Sequence, residues 1–275
     1  MTGTLYLVAT PIGNLQDISF RAVETLRNAD LIACEDTRHS IKLLNHLRIS
    51  NRLVSYHEFN EQERAEQFVE EMAGGKNIAV ISDAGTPGVS DPSFRVVRLA
   101  IEAGIKVVSI PGPAAFVNAA VISGLPTDSI FFGGFLPSKK SERRRRLAQI
   151  SAVPATIVLY ESPHRLLASL SDCLAVLGDR QASVSRELTK MHEETISATL
   201  SQLLAHFGTV QPKGEFVISI DRERMTDKMT VPDETALPER VLQLIEEGLD
   251  RKAALKKAAK EFGISKSEAY RLIQT

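Results

Sequence analysis

The chain has 275 residues, a formal net charge of −1, 43% hydrophobic and 24% charged residues, 5% aromatics and no Trp. This is the composition of an ordinary soluble globular protein, long enough for two domains and a small appendage, with a core that must be mostly Leu, Ile, Val and Ala. A near-zero net charge argues neither for nor against nucleic acid. Cys34 and Cys173 stand in apolar runs without CxxC spacing, so buried reduced thiols and a cytoplasmic location are expected. The amino-terminal MTGTLYLVATPIG lacks a basic segment and its apolar run is too short for a signal peptide. No segment approaches the ~20 apolar residues of a membrane span.

From Leu5 to about Ser123 strand and helix patterns alternate. Strands are predicted at Leu5–Ala9, Asp30–Glu35, Arg52–Tyr56, Asn77–Ser82 and Lys106–Ile110, with amphipathic helices between them. The clearest helix is Asn60–Met72, with Ala65, Phe68, Val69 and Met72 at helical spacing. Asp91 and Pro92 read as an N-cap and first-turn Pro for the next helix, which Gly104 closes. This is the pattern of a doubly wound parallel sheet. The turn-rich GLPTDS (Gly124 to Ser129) separates an N-terminal domain, 1–124, from a second α/β domain, 125–223. There, strands are predicted at Ile130–Phe135, Thr156–Glu161, Ser183–Glu187, Thr195–Thr199 and Glu215–Asp221, with helices at Glu142–Ile150, Pro163–Leu177 and Ser201–Phe207. The short late connections indicate a mixed sheet. Residues 224–237 read as a polar linker carrying Pro232. Helices at Pro238–Gly248, Arg251–Phe262 and Ser265–Gln274 complete the chain, with Gly263 as a stop and Ser265 as an N-cap: a helix-turn-helix-like tail over 238–275.

Three strands in the first 115 residues run into Pro- and Gly-built turns: LYLVATPIGN, IAVISDAGTPGVSDP and VVSIPGPAA. In an alternating α/β chain such turns fall at the carboxyl rim of neighbouring parallel strands, where open sheets bind ligands. Side-chain-poor turns let backbone come close to a ligand. One such turn is a mere tight connection; three on neighbouring strands indicate a ligand rim. The dinucleotide fingerprint GxGxxG and the P-loop GxxxxGK[ST] are both missing, which suits a ligand without a pyrophosphate. No HExxH or Cys/His cluster has ligand spacing, so no metal is expected.

These turns resemble those of the tetrapyrrole-methylase superfamily, the class III S-adenosylmethionine-dependent methyltransferases. With CEDTRHS (Cys34–Ser40), YHEFNE (Tyr56–Glu61), GGFLP (Gly133–Pro137), YESPHR (Tyr160–Arg165) and REL (Arg186–Leu188), they resemble the branch that 2′-O-methylates the ribose of a decoding-centre cytidine in small-subunit (16S) ribosomal RNA. The resemblance spans essentially the whole chain. It implies a two-domain fold, S-adenosylmethionine as cofactor, the 16S rRNA or small ribosomal subunit as partner, and a homodimer. By position, it assigns to the cofactor Pro11, Ile12, Ile81, Ser82, Asp83, Thr86, Ala114, Ala115, Glu161 and Leu188, with Ala84 standing where relatives carry Pro. Glu161 replaces an apolar residue of the tetrapyrrole enzymes, which would set a carboxylate toward the cofactor's sulfonium or amine, or toward substrate.

Methyl transfer from a sulfonium is an in-line displacement that needs alignment and a dry pocket. A ribose hydroxyl is a poor nucleophile until it loses its proton, so a base is expected within reach. Glu35 and Asp36 follow the second strand on the correct rim, and the surroundings of Glu35 resemble an acidic catalytic position of the uroporphyrinogen-methylating branch. Arg38 could hold a phosphate or orient one of these carboxylates. His57, after the third strand, is a second candidate base. The alternative is a helix N-terminal charge cluster for Glu35, Asp36 and Arg38, and a cap or a surface residue for His57.

Lys139, Lys140, Arg143, Arg144, Arg145 and Arg146 stand against one acid, Glu142, within eight residues. Such a run is ordinarily a solvated helix face, but four consecutive arginines favour phosphate contact. Asp250–Thr275 holds seven Lys/Arg against three Asp/Glu, with Lys256 on one helix and Lys266 and Arg271 on the last. RNA binding or protein docking would both suit that tail. No aromatic stacking platform is visible in the sequence.

Overall fold

The computed structural model describes residues 2–91, 93–222, 237–262, 264 and 266–273, the side chains of 266–268 aside. The expected roles of Pro92, the 224–236 linker, Gly263, Ser265 and the Lys266 side chain lie outside the described residues. Those residues fall into two compact units, one up to Arg222 and one from Leu237 on.

The first unit begins with β1 (Thr4–Val8), α1 (Phe20–Asn28), β2 (Leu31–Cys34), α2 (Thr37–His46), β3 (Leu53–Ser55), α3 (Glu61–Ala73), β4 (Ile78–Ile81), α4 (Ser93–Glu102) and β5 (Lys106–Ile110). All five strands are parallel, in the order β3-β2-β4-β1-β5. β2 (LIAC) and β4 (IAVI) are buried at every position, which is why they read as unbroken apolar runs rather than alternating ones. Phe68 and Met72 of α3 and Val96 and Ala100 of α4 cover one face against Leu5, Ile78 and Val80. Ala22 and Leu26 of α1 and Leu44 of α2 cover the other against Val8, Ile32 and Ile81. The sheet is therefore doubly wound, as expected. Its central strand β4 sends its helix over one face while its neighbours β2 and β1 send theirs over the other. The three departing loops leave a crevice at the carboxyl end of β4, the topological switch point where open α/β sheets bind ligands.

A second sheet follows: α5 (Ala115–Ile122), β6 (Ile130–Phe135), α6 (Lys140–Ile150), β7 (Thr156–Glu161), α7 (Leu166–Leu177), β8 (Gln181–Arg186), β9 (Glu194–Thr199), α8 (Leu200–Thr209) and β10 (Phe216–Ile220). Its order is β6-β7-β10-β8-β9. β6 and β7 are parallel and the remaining pairs antiparallel, the mixed sheet the short connections implied. α6, α7 and α8 bury Leu147, Leu166, Leu170, Leu203 and Phe207 on one face. α5 lays Ala119 and Ala120 on the other, against Val158 and Val217. α7 starts at Leu166 rather than Pro163, because Ser162 to Arg165 close a turn through Arg165 N–H to the Ser162 carbonyl, 3.1 Å.

The second unit comprises α9 (Leu237–Glu246), α10 (Arg251–Glu261) and α11 (Lys266–Ile273) around Leu237, Leu244, Leu255 and Ala258. Leu237, assigned to the linker from sequence, is buried inside α9, so the linker ends one residue earlier than expected. Asp250 caps α10 by accepting from the N–H groups of Lys252 and Ala253. Lys256 and Arg271 are exposed.

Candidate active site

The three Pro/Gly turns are hydrogen-bonded to one another. Thr10, after β1, exchanges backbone bonds with Gly85, after β4, at 2.8 and 3.1 Å. The Thr86 hydroxyl donates to the Pro113 carbonyl, after β5, at 3.0 Å. Gly85 has φ +81°, and a side chain there would press on Ile12 at 3.3 Å, so glycine is what lets the turns close. The first turn also reaches the second sheet: Asn14 N–H donates to Thr189 Oγ1 at 3.0 Å. Of the four non-glycine residues with positive φ among the described residues, Ser90 lies in this rim, and Glu187 and Thr189 flank Leu188. Such backbone strain clusters where a ligand site over-determines the chain.

Between the rims lies a cleft of 440 Å³. Its walls include Ile12, Ser82, Asp83 and Thr86 from the first two turns, Ala114 and Ala115 from the third, and Glu161 and Leu188 from the second sheet. A second hollow of 640 Å³ shares Ile12, Ser82 and Asp83 and adds Pro11 and Ile81. All ten residues assigned to the cofactor thus line one of two adjoining hollows. Among the described residues, five carboxylates (Glu35, Asp83, Asp91, Glu161, Glu215) line the first cleft, and none of the lining residues is Lys, Arg or His. Its apolar walls, small side chains and acid suit a ligand that is part hydrophobic and carries positive charge; they do not suit a phosphate.

The carboxylates are not equivalent. Both oxygens of Glu161 are committed: Oε1 accepts from Ser162 N–H at 2.8 Å and lies 3.1 Å from Arg165 Nε, while Oε2 accepts from Ser169 Oγ and from Arg165 Nη2 at 3.3 Å. It is therefore a neutralised strut at the cleft wall, not a free charge for the sulfonium. Asp91 accepts from Gly88 and Ser93 N–H groups, and Asp83 from Asp36 N–H at 3.1 Å. Glu35 keeps the chemistry of a base. Burial of its carboxyl, and then the charges of Asp83 and Asp91, raise its pKa above the ordinary glutamate value; His57 opposes them.

Asp36, Arg38 and His57 do not line the cleft. Asp36 is the N-cap of α2 and accepts from Arg38 N–H at 2.8 Å, while the Arg38 side chain binds both its oxygens at 3.1 and 2.8 Å. Those bonds hold the Asp36 carboxyl at about 2, too weak a base to take a hydroxyl proton. Asp36 and Arg38 thus form a charge cluster at the N-terminus of α2. His57 Nδ1 is buried without a hydrogen-bond partner, and its backbone N–H donates to Asn60 Oδ1 at 2.9 Å.

The arginine run divides. Arg143 is 5% exposed. Its Nε and Nη2 bind Asp172 Oδ2 at 2.8 and 2.6 Å, and Nη1 donates to the Ser138 carbonyl at 2.8 Å. The expected phosphate contact fails for Arg143, because at this position the turn of α6 points into the core. Arg144 shares Asp172 at 2.6 Å, and Arg146 stacks over Phe131 at 5.8 Å. Lys139 pairs with Glu142 at 3.4 Å, while Lys140 and Arg145 are exposed. Phe135 and Tyr160 line the cleft and were missed in sequence, although both stand at strand carboxyl ends inside the motifs GGFLP and YESPHR.

Two sheets joined at strain-bearing, hydrogen-bonded turns around an acid-lined cleft place the chain in the class of tetrapyrrole methylases, and the family model described as Tetrapyrrole (Corrin/Porphyrin) Methylases matches residues 4–204. A uroporphyrin-III C-methyltransferase from Thermus thermophilus, solved with S-adenosylhomocysteine, shares the fold at TM-score 0.55 and 17% identity over 79% of this chain and 97% of that one. Within the class, the chain belongs to the family of ribosomal RNA small subunit methyltransferase I. The member from Halalkalibacterium halodurans is 43% identical over 98% of this chain and 94% of its own length. The member from Synechocystis is 44% identical over 98% and 97%.

Proposed function

We propose that the chain is an S-adenosylmethionine-dependent methyltransferase that acts on small-subunit rRNA in the cytoplasm, as a homodimer, at the ribose 2′-oxygen of a decoding-centre cytidine. The observation that carries the chemistry is the acid-lined cleft at the β4 switch point; the rRNA substrate rests on the name its relatives share. S-adenosylmethionine, when bound, supplies the electrophilic methyl group. Thr86, Ala114, Ala115 and Leu188 hold it, with the proposed domains 1–124 and 125–223 closing on either side. Glu35 takes the hydroxyl proton, its raised pKa making it a stronger base than a glutamate at its ordinary value. Turnover is expected to rise with pH as Glu35 ionises and then to level off.

Lys140 and Arg145, with the basic α10 surface at Lys256, supply phosphate contacts. Lys140→Glu with Arg145→Glu should weaken RNA binding and flatten its dependence on log salt by roughly two contacts' worth, a slope change of about 1.4 to 1.8. An unchanged salt slope in filter binding would remove α6 from the RNA surface. The function itself is tested by radiolabelled methyl transfer to small subunits from a strain lacking the enzyme, followed by mapping of the modified nucleotide. Label on porphyrinogens instead of rRNA would overturn it.

A further inference from the structure

β6 carries a one-residue irregularity. Phe132 pairs with Val158 but Gly134, not Gly133, pairs with Leu159, and Phe135 pairs with Tyr160. Side chains alternate between faces along a strand, so a regular β6 would put Phe131, Gly133 and Phe135 together on the face that α6 and α7 cover. The extra residue turns Phe135 onto the opposite face, against Tyr160, which in turn packs on Phe132. The sequence makes this switch possible. A side chain at Gly133 would strike Leu159 at 2.6 Å, and Gly134 has φ +63°. Bulges are common beside active sites, where they re-aim a side chain.

The re-aimed ring is 56% exposed, a costly state for Phe when the buried face was one residue away. It lines the cleft and is held from behind by a ladder of rings: Phe135 on Tyr160 at 5.5 Å, Tyr160 on Phe132 at 4.9 Å, and Phe132 on Phe116 at 4.4 Å. Tyr160 is itself fixed, its hydroxyl accepting from Phe116 N–H at 3.3 Å. Four residues on, the chain enters the basic turn of Lys139 and Lys140. An exposed aromatic face on the cleft wall, braced by other rings and followed in the chain by a basic turn, is the arrangement that stacks an unpaired base while its backbone phosphates lie on a basic surface.

We propose that Phe135 is the stacking platform for the base of the nucleotide being methylated, held out of its RNA stack so that its ribose reaches Glu35. The assignment rests on the rRNA reading above, so wild-type transfer to rRNA is measured first; its failure would remove that reading and leave Phe135 without a substrate. Given wild-type transfer, Phe135→Ala should lower kcat/KM for RNA about 10- to 100-fold while S-adenosylmethionine affinity stays within about twofold by calorimetry. Phe135→Tyr should restore most of the loss, whereas Phe135→Leu, apolar but without a π face, should not. Thermal melts of all three variants report whether the fold is kept. Two results would overturn the proposal. One is a Phe135→Leu variant as active as wild type, since the ring would then be only apolar surface. The other is weakened binding of S-adenosylmethionine in step with lost transfer, which would give the ring to the cofactor.

Discussion

Glu35→Gln should lower turnover by about 10²- to 10⁴-fold, the range for removing a positioned general base, with S-adenosylmethionine affinity nearly unchanged. Glutamine keeps the size and hydrogen-bonding reach of the side chain but cannot accept the proton. The pH profile gives a second readout. The wild-type rate rises through a pKa displaced upward by burial and by Asp83 and Asp91, whereas the Gln variant loses that limb. His57→Ala acts differently. It removes an influence that lowers the Glu35 pKa, so the rising limb should move to higher pH with a smaller loss of the plateau rate. If His57→Ala erased the limb and Glu35→Gln kept it, the imidazole would be the base.

Asp172→Ala should destabilise the first unit by about 3–5 kcal/mol, because it leaves Arg143 buried and unpaired. Arg143 and Asp172 have side chains only 6% and 2% exposed, and Asp172 also holds Arg144. The melting temperature should fall by roughly 6–20 °C, taking about 2–4 °C per kcal/mol for a unit of this size. Arg145→Ala, at an exposed position on the same helix, should leave the melt nearly unchanged. Equal melts for the two variants would show that the Arg143–Asp172 pair does not brace α6 on α7.

Much of the fold was legible because its signals are local. Strands β5, β6 and β7 run between the residues expected, since Pro, Gly or a charged flank marks each end. The three hydrogen-bonded turns at the sheet's carboxyl end were legible because backbone-close turns demand Pro and Gly, which few other features do. The arginine run misled for a physical reason: six cations in eight residues fix composition, not direction, and helical geometry sent Arg143 inward to a carboxylate 29 positions away. Asp36 and Arg38 were ambiguous for a similar reason, since a capping carboxylate and a catalytic one share the same residue type and rim. Glu161 lies in that class too; its neutralisation by Arg165 and Ser169 depends on the turn that starts α7. The stacking face at Phe135 was hidden because a bulge resets alternation, and GG within GGFLP signals only that the strand departs from regularity.

The most direct test of the account is a crystal structure with S-adenosylhomocysteine. The ligand should lie in the cleft between the sheets, against Thr86, Ala115 and Leu188, with Glu35 lining the same space. Density for it confined to the far side of the neighbouring hollow, beside His39 and Lys42 and out of reach of Thr86, Ala115 and Leu188, or away from both hollows, would argue against this placement.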